Sequence, residues 1–117
     1  MKKIYYLSTC DTCRRIMKEV GVDESFDKQD IKTDPVTEEQ IEELKAGTGS
    51  YEKLFNRRAR KYQSLGLKDE QLGENDYKNY LLEDYTFLKR PVFNLDNEIF
   101  VGNSKNVVEA VKNKLKR

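Results

Sequence analysis

A helical stripe separates the first two strand-like runs of this chain, whereas only two residues separate the last two. Lys3 to Ser8 carries Ile4, Tyr5, Tyr6 and Leu7, a β-prone run that suits a buried strand. Cys13, Ile16, Met17 and Val20 then recur at i, i+3, i+4 and i+7, one face of a helix. Gly21 follows where a helix commonly ends in a left-handed residue. Ser25 to Ile31 forms a second, weakly alternating run. A helix between two strands lets them pair in parallel. Leu88–Leu95 and Glu98–Val101 instead flank Asp96-Asn97, a spacing that closes as an antiparallel hairpin. The expected sheet is therefore mixed.

The middle of the chain reads as all-helical. Asp34-Pro35 marks a break, and Thr37-Glu38-Glu39-Gln40 matches a capping box that opens a helix with Ile41 and Leu44 facing inward. Ala46 to Ser50 reads as a loop, residues 51–65 as a helix, and Tyr77, Tyr80 and Leu81 as another across 74–84. After Gly102-Asn103-Ser104, a last helix carries Val107, Val108, Val111 and Leu115 on one side. The order is β-α-β, helices, then β-β-α. That is an α/β plan, the order of a thioredoxin-like mixed sheet with a helical insertion at about 35–87. The 117 residues fit a single domain. Seven Tyr and five Phe supply core bulk in a chain that is only 37% apolar.

Composition excludes whole classes of chemistry. Histidine and tryptophan are both 0, which removes histidine-based triads, cysteine–histidine pairs and histidine-ligated metals. Two cysteines cannot make a four-cysteine zinc site within one chain. A net charge of +1 gives no reason to expect a nucleic-acid or membrane partner. The first apolar run falls short of the ~7–15 residues of a signal-peptide core, and no run nears the ~20 of a spanning helix. The expectation is a monomeric cytoplasmic protein without a bound cofactor.

Both cysteines lie in one tetrapeptide, Cys10-Asp11-Thr12-Cys13. Two small apolar residues, or half a metal site shared between chains, are the bland readings. The junction favours a redox dithiol. Cys13 points with the apolar stripe toward the interior. Cys10 precedes the helix and sits over its open N–H groups, whose partial positive charge favours thiolate. Arg14 and Arg15 add positive field. Cys10 is thus expected to attack and Cys13 to resolve, forming the internal disulfide.

Residues 23–43 hold nine acids against Lys28 and Lys32, and residues 57–61 hold Arg57, Arg58, Arg60 and Lys61. Most belong to solvated faces. A thiolate that attracts an oxyanion or the carboxylates of a small thiol needs fixed cations, and arginine binds such groups through paired N–H bonds. Spacing alone does not choose among these arginines and Arg90.

Ser8-Thr9-Cys10-Asp11-Thr12-Cys13-Arg14, Leu54-Phe55-Asn56-Arg57-Arg58, and Leu88-Lys89-Arg90-Pro91-Val92-Phe93 with Val101-Gly102 together resemble the arsenate reductase / Spx family, over nearly the whole chain. The resemblance implies a nucleophile at Cys10, a substrate-facing arginine at Arg58, a second at Arg90 and a cis Pro91. Arg14 and Asn56 complete the candidate anion-binding set. It also implies glutathione, or thioredoxin or glutaredoxin, as electron donor and partner. The reductases carry a further arginine before the last helix, where this chain has Val101-Gly102-Asn103-Ser104. They usually have one cysteine in this loop. The dithiol is more like the Spx regulators, which implies the RNA polymerase α subunit as an alternative partner.

Overall fold

The computed structural model describes residues 1–116. In chain order its elements are β1 (Lys2–Tyr6), α1 (Asp11–Val20), β2 (Asp27–Asp30), α2 (Glu38–Thr48), α3 (Arg60–Ser64), α4 (Glu74–Glu83), β3 (Val92–Leu95), β4 (Glu98–Val101) and α5 (Lys105–Leu115). Single turns of 3-10 helix occur at Glu52–Leu54, Leu67–Asp69 and Tyr85–Phe87. The chain forms two compact units. One comprises residues 1–34 and the chain from Arg90 onward, the other Pro35–Lys89.

The first unit is built on a four-stranded sheet in the order β2-β1-β3-β4. β1 and β2 pair in parallel, with Tyr6 opposite Asp30. β1 and β3 pair antiparallel, with Tyr5 opposite Val92, and β3 and β4 form the hairpin. The mixed sheet follows from connection length, as expected. Asp96 (φ 53°) and Asn97 (φ 71°) both adopt the left-handed region that a two-residue hairpin turn requires. The buried Asn94 accepts the Asn97 N–H at 2.9 Å and so braces that turn. Ile4, Ile16, Phe26, Phe93, Leu95, Val108 and Val111 make one apolar cluster, against which Met17, Val20, Val107 and Leu115 pack. Each large side chain fully buried there contributes about 1.5–3 kcal/mol. Gly21 closes α1 at φ 82°, its N–H reaching the carbonyls of Met17 and Lys18.

Two strands are shorter than the sequence suggests. β2 spans only Asp27–Asp30, and β3 starts at Val92, after Pro91, which has no N–H to give a ladder. Leu88 pairs instead with Phe55 in an isolated antiparallel bridge.

That bridge belongs to the second unit and explains its main departure from expectation. Residues 51–65 are not one helix. A 3-10 turn covers Glu52–Leu54, Phe55 is extended (φ −85°, ψ 129°), and α3 begins only at Arg60. The Asn56 N–H goes to Phe87 O at 2.7 Å and the Lys89 N–H to Leu54 O at 2.8 Å. The Glu74 carboxylate accepts the Tyr51 and Glu52 N–H groups, capping the 3-10 turn from another element. Phe55 is wholly buried, stacked on Phe87 at 5.1 Å and edge-on to Tyr77 at 5.0 Å. The α2 capping box forms as expected, Gln40 N–H to Thr37 Oγ1 at 3.1 Å and Thr37 N–H to Gln40 Oε1 at 3.0 Å. The expected loop from Ala46 is corrected: α2 runs on to Thr48 and stops at Gly49, φ 100°, whose N–H goes to Lys45 O. α4 buries Tyr77 and Leu81. Among the described residues no helix is long and apolar enough to cross a membrane.

Phe55 therefore organises its unit as an aromatic hub. Phe55→Ala should cost about 3–5 kcal/mol, read from urea denaturation. A loss below about 1 kcal/mol would show that the surrounding rings close over the void.

Candidate active site

The first unit brings Cys10, Cys13, Arg90 and Pro91 to one end of its sheet. The chain leaves β1 at Tyr6 and enters α1 at Asp11, and Cys10 lies at the junction as the residue preceding the helix (φ −94°, ψ 114°). Its N–H closes a turn onto Leu7 O at 3.0 Å, and its carbonyl accepts the first helical N–H, from Arg14, at 3.1 Å. The β1–β3 register sets Tyr5 opposite Val92, so Pro91 lies beside the end of β1 that feeds this loop. The Arg90–Pro91 peptide bond is cis, as the resemblance implies. Pro91 O accepts the Gly102 N–H at 2.9 Å.

The two thiols, both free, have opposite surroundings. Cys10 is partly exposed. Burial works to raise its pKa, but the Cys13 N–H, the Cys13 thiol, the Arg90 charge and the Thr12 N–H outweigh it, and the thiol is held below its ordinary value of 9.0. Two of these donors are N–H groups of the first turn of α1, which have no partner within the helix. Cys13 is 0% exposed. Burial pushes it up to about 12, the Leu7 N–H opposing, the bond and charge of Cys10 adding to the rise and Arg90 reducing it. One thiol ionises more readily than an ordinary cysteine; its neighbour keeps its proton.

The source of the positive field is corrected in part. Arg14 donates to Asp11, one turn-spacing before it, and is largely exposed. Arg15 pairs with Glu19 at 3.8 Å. Both charges are answered along the surface of α1, and the guanidinium that acts on the thiols is Arg90. Asn56 and Arg58 belong to the second unit. Asn56 Oδ1 accepts the Arg58 N–H at 3.0 Å and Nδ2 donates to Thr86 O at 3.3 Å, so the amide holds its own loop. The Arg58 side chain is exposed. Arg57, next to it, pairs with Glu52 at 2.5 Å and bonds Tyr77 Oη at 3.0 Å. Among the described residues no group of three or more acidic or cysteine side chains gathers as metal ligands do.

The sequence matches the ArsC family over residues 5–111. The chain belongs to the ArsC family. No curated protein sequence matches it. Among solved structures, one titled a possible arsenate reductase from Streptococcus mutans UA159 is 30% identical, with 90% of this chain and 92% of that chain covered and a TM-score of 0.70. A Staphylococcus aureus COL protein is 28% identical, covering 94% and 97%, with a TM-score of 0.72. The arsenate reductase from Vibrio cholerae, 18% identical over 94% and 93% with a TM-score of 0.70, shares the fold. The ArsC frame is thus the thioredoxin-like mixed sheet read from the element order, and membership supports a thiol-dependent redox role.

The geometry separates the thiols by pH. At neutral pH a single alkyl adduct should form, on Cys10, and its rate should fall as pH drops through the lowered pKa of that thiol. Cys13 should stay unlabelled until the pH nears about 12 or the protein unfolds. Arg90→Gln should raise the Cys10 midpoint. Peptide mass mapping of adducts across pH checks all three, and equal labelling of the two cysteines would refute the assignment.

Proposed function

We propose that the protein is a thiol-dependent oxidoreductase of arsenate-reductase type, acting on an oxyanion or a disulfide. The observation that carries this is the pairing of a thiol lowered by helix-terminal N–H groups and Arg90 with a buried, protonated thiol three residues on. With a disulfide substrate, the Cys10 thiolate attacks one sulfur, the other leaves as thiolate, and Cys13 then displaces the bound half. With arsenate, Cys10 forms a sulfur–arsenic bond as protonated hydroxide leaves. Attack of Cys13 on Cys10 Sγ breaks that bond, the Cys13 proton passes to an oxygen of the departing arsenic group, and the electron pair reduces arsenic from the +5 to the +3 state. Either route ends in a Cys10–Cys13 disulfide, whose reduction takes two electrons from glutathione, or from thioredoxin or glutaredoxin. Arg90 neutralises charge developing at the site. Arg58, and Asn56 with it, join the anion-binding set on the strength of the family motif.

Cys10→Ser should abolish reduction of arsenate and of disulfides, assayed with each donor. Cys13→Ser should allow the first attack but stall turnover with thioredoxin. Arg90→Ala and Arg58→Ala should each cost on the order of 10²-fold in kcat/KM for an oxyanion, the scale of losing one charge-stabilising donor. Full activity in Cys10→Ser would end this reading.

The dithiol itself favours a second reading, a redox-sensing regulator that binds the RNA polymerase α subunit. Recovery of that subunit in a pull-down should then differ between reduced and oxidised protein; equal recovery, or none, argues against it.

A further inference from the structure

The loop that carries Cys10 is tied to a residue outside it. Between β1 and α1 the chain makes one tight turn, Leu7-Ser8-Thr9-Cys10, whose tip, Ser8 and Thr9, is exposed. An exposed turn closed by a single backbone bond is a poor platform for a sulfur that must stay over two particular N–H groups. A further tie comes from Asp30, the last residue of β2. Ser8 Oγ donates to Asp30 Oδ2 at 2.5 Å. Asp30 is itself held firmly: it sits opposite Tyr6 in the parallel ladder, the next N–H, of Ile31, reaches Tyr6 O at 2.9 Å, and its Oδ1 accepts the Lys32 N–H at 3.2 Å. Its carbonyl accepts the N–H groups of Thr33 and Asp34. The carboxylate thus spans from the sheet edge to the start of the cysteine turn. The Ser8 hydroxyl bond is the main reason this carboxyl stays below the ordinary carboxylate range, burial opposing it and the Lys32 and Ser8 N–H groups assisting.

We propose that Asp30, acting through Ser8, is a positioning residue that fixes the Leu7–Cys10 turn so that Cys10 Sγ stays over the first-turn N–H groups of α1. The inference rests on the reading of Cys10 as the attacking thiolate. Asp30 touches no reacting atom in this role; it sets where the nucleophile stands.

The sign of the effect separates positioning from charge. An acidic side chain near a thiolate raises the thiol pKa, so removing Asp30 for its charge alone would make Cys10 more acidic. Removing it as an anchor does the reverse, because the turn drifts and the N–H bonds to sulfur weaken.

The test is the pH dependence of Cys10 alkylation in the full-length reduced protein, with iodoacetamide and mass mapping, in Ser8→Ala, Asp30→Ala and Ser8→Thr. Ser8→Ala and Asp30→Ala should raise the Cys10 midpoint and slow alkylation at neutral pH about three-fold or more, since reactivity follows the thiolate fraction. Ser8→Thr, which keeps the hydroxyl, should stay near wild type. Ser8 is exposed, so its alanine variant is the one to rely on should Asp30→Ala unfold. A midpoint that holds still or falls in Ser8→Ala overturns the inference. A wild-type Cys10 that titrates as an ordinary thiol sinks the functional reading, whereas a low wild-type value with unchanged variants sinks this inference alone.

Discussion

A helix that buries the side chain at its third position presents the residue just before it at its open end, where backbone N–H groups lack partners. In this chain the constraint falls on two sulfurs. Cys13 is drawn into the interior with Ile16, and that register leaves Cys10 at the mouth of α1 with its thiol facing the Thr12 and Cys13 N–H groups. Activation and shielding are therefore one event. The apolar stripe that packs α1 on the sheet also decides which sulfur ionises.

The sheet supplies what the helix cannot. A helix terminus contributes only partial charge, and the full charge at the thiols comes from Arg90, far along the chain. It arrives because β1 and β3 are antiparallel neighbours in a register that sets Tyr5 opposite Val92. The hairpin turn at Asp96 and Asn97 has a place in this arrangement too. It lets β4 return along β3, and the Gly102 N–H then holds the carbonyl of Pro91.

Those facts divide what the sequence discloses from what it hides. The α1 stripe, the capping box at Thr37 and the Asp96-Asn97 turn are legible because each obeys a local rule of spacing or backbone preference. The dithiol is legible for the same reason, since a helix end needs only its own first turn. Arg90 is not legible by spacing, because its place depends on strand register; the residues alone leave it one candidate cation among several, and the family motif singles it out together with Arg58. Arg14 and Arg15 mislead by proximity, although their partners Asp11 and Glu19 stand at helical spacing in plain view. Residues 51–65 mislead more deeply. Phe55, Ala59 and Tyr62 repeat as on a helix, yet Phe55 meets Tyr62 ring to ring at 5.9 Å across a broken backbone. The overlooked signal is Asn56, whose side chain bonds to backbone and so competes with the helix.

β2 is the element that reads least like a strand, because Asp27, Lys28 and Asp30 fill three of its four positions. It also lies at the end of the strand order. A short flank studded with charge is a poor template for a foreign strand, because any chain that docked there would have to desolvate those groups. The polarity that weakens its propensity thus guards the sheet against fibril-like stacking, a hazard for any fold with an open flank.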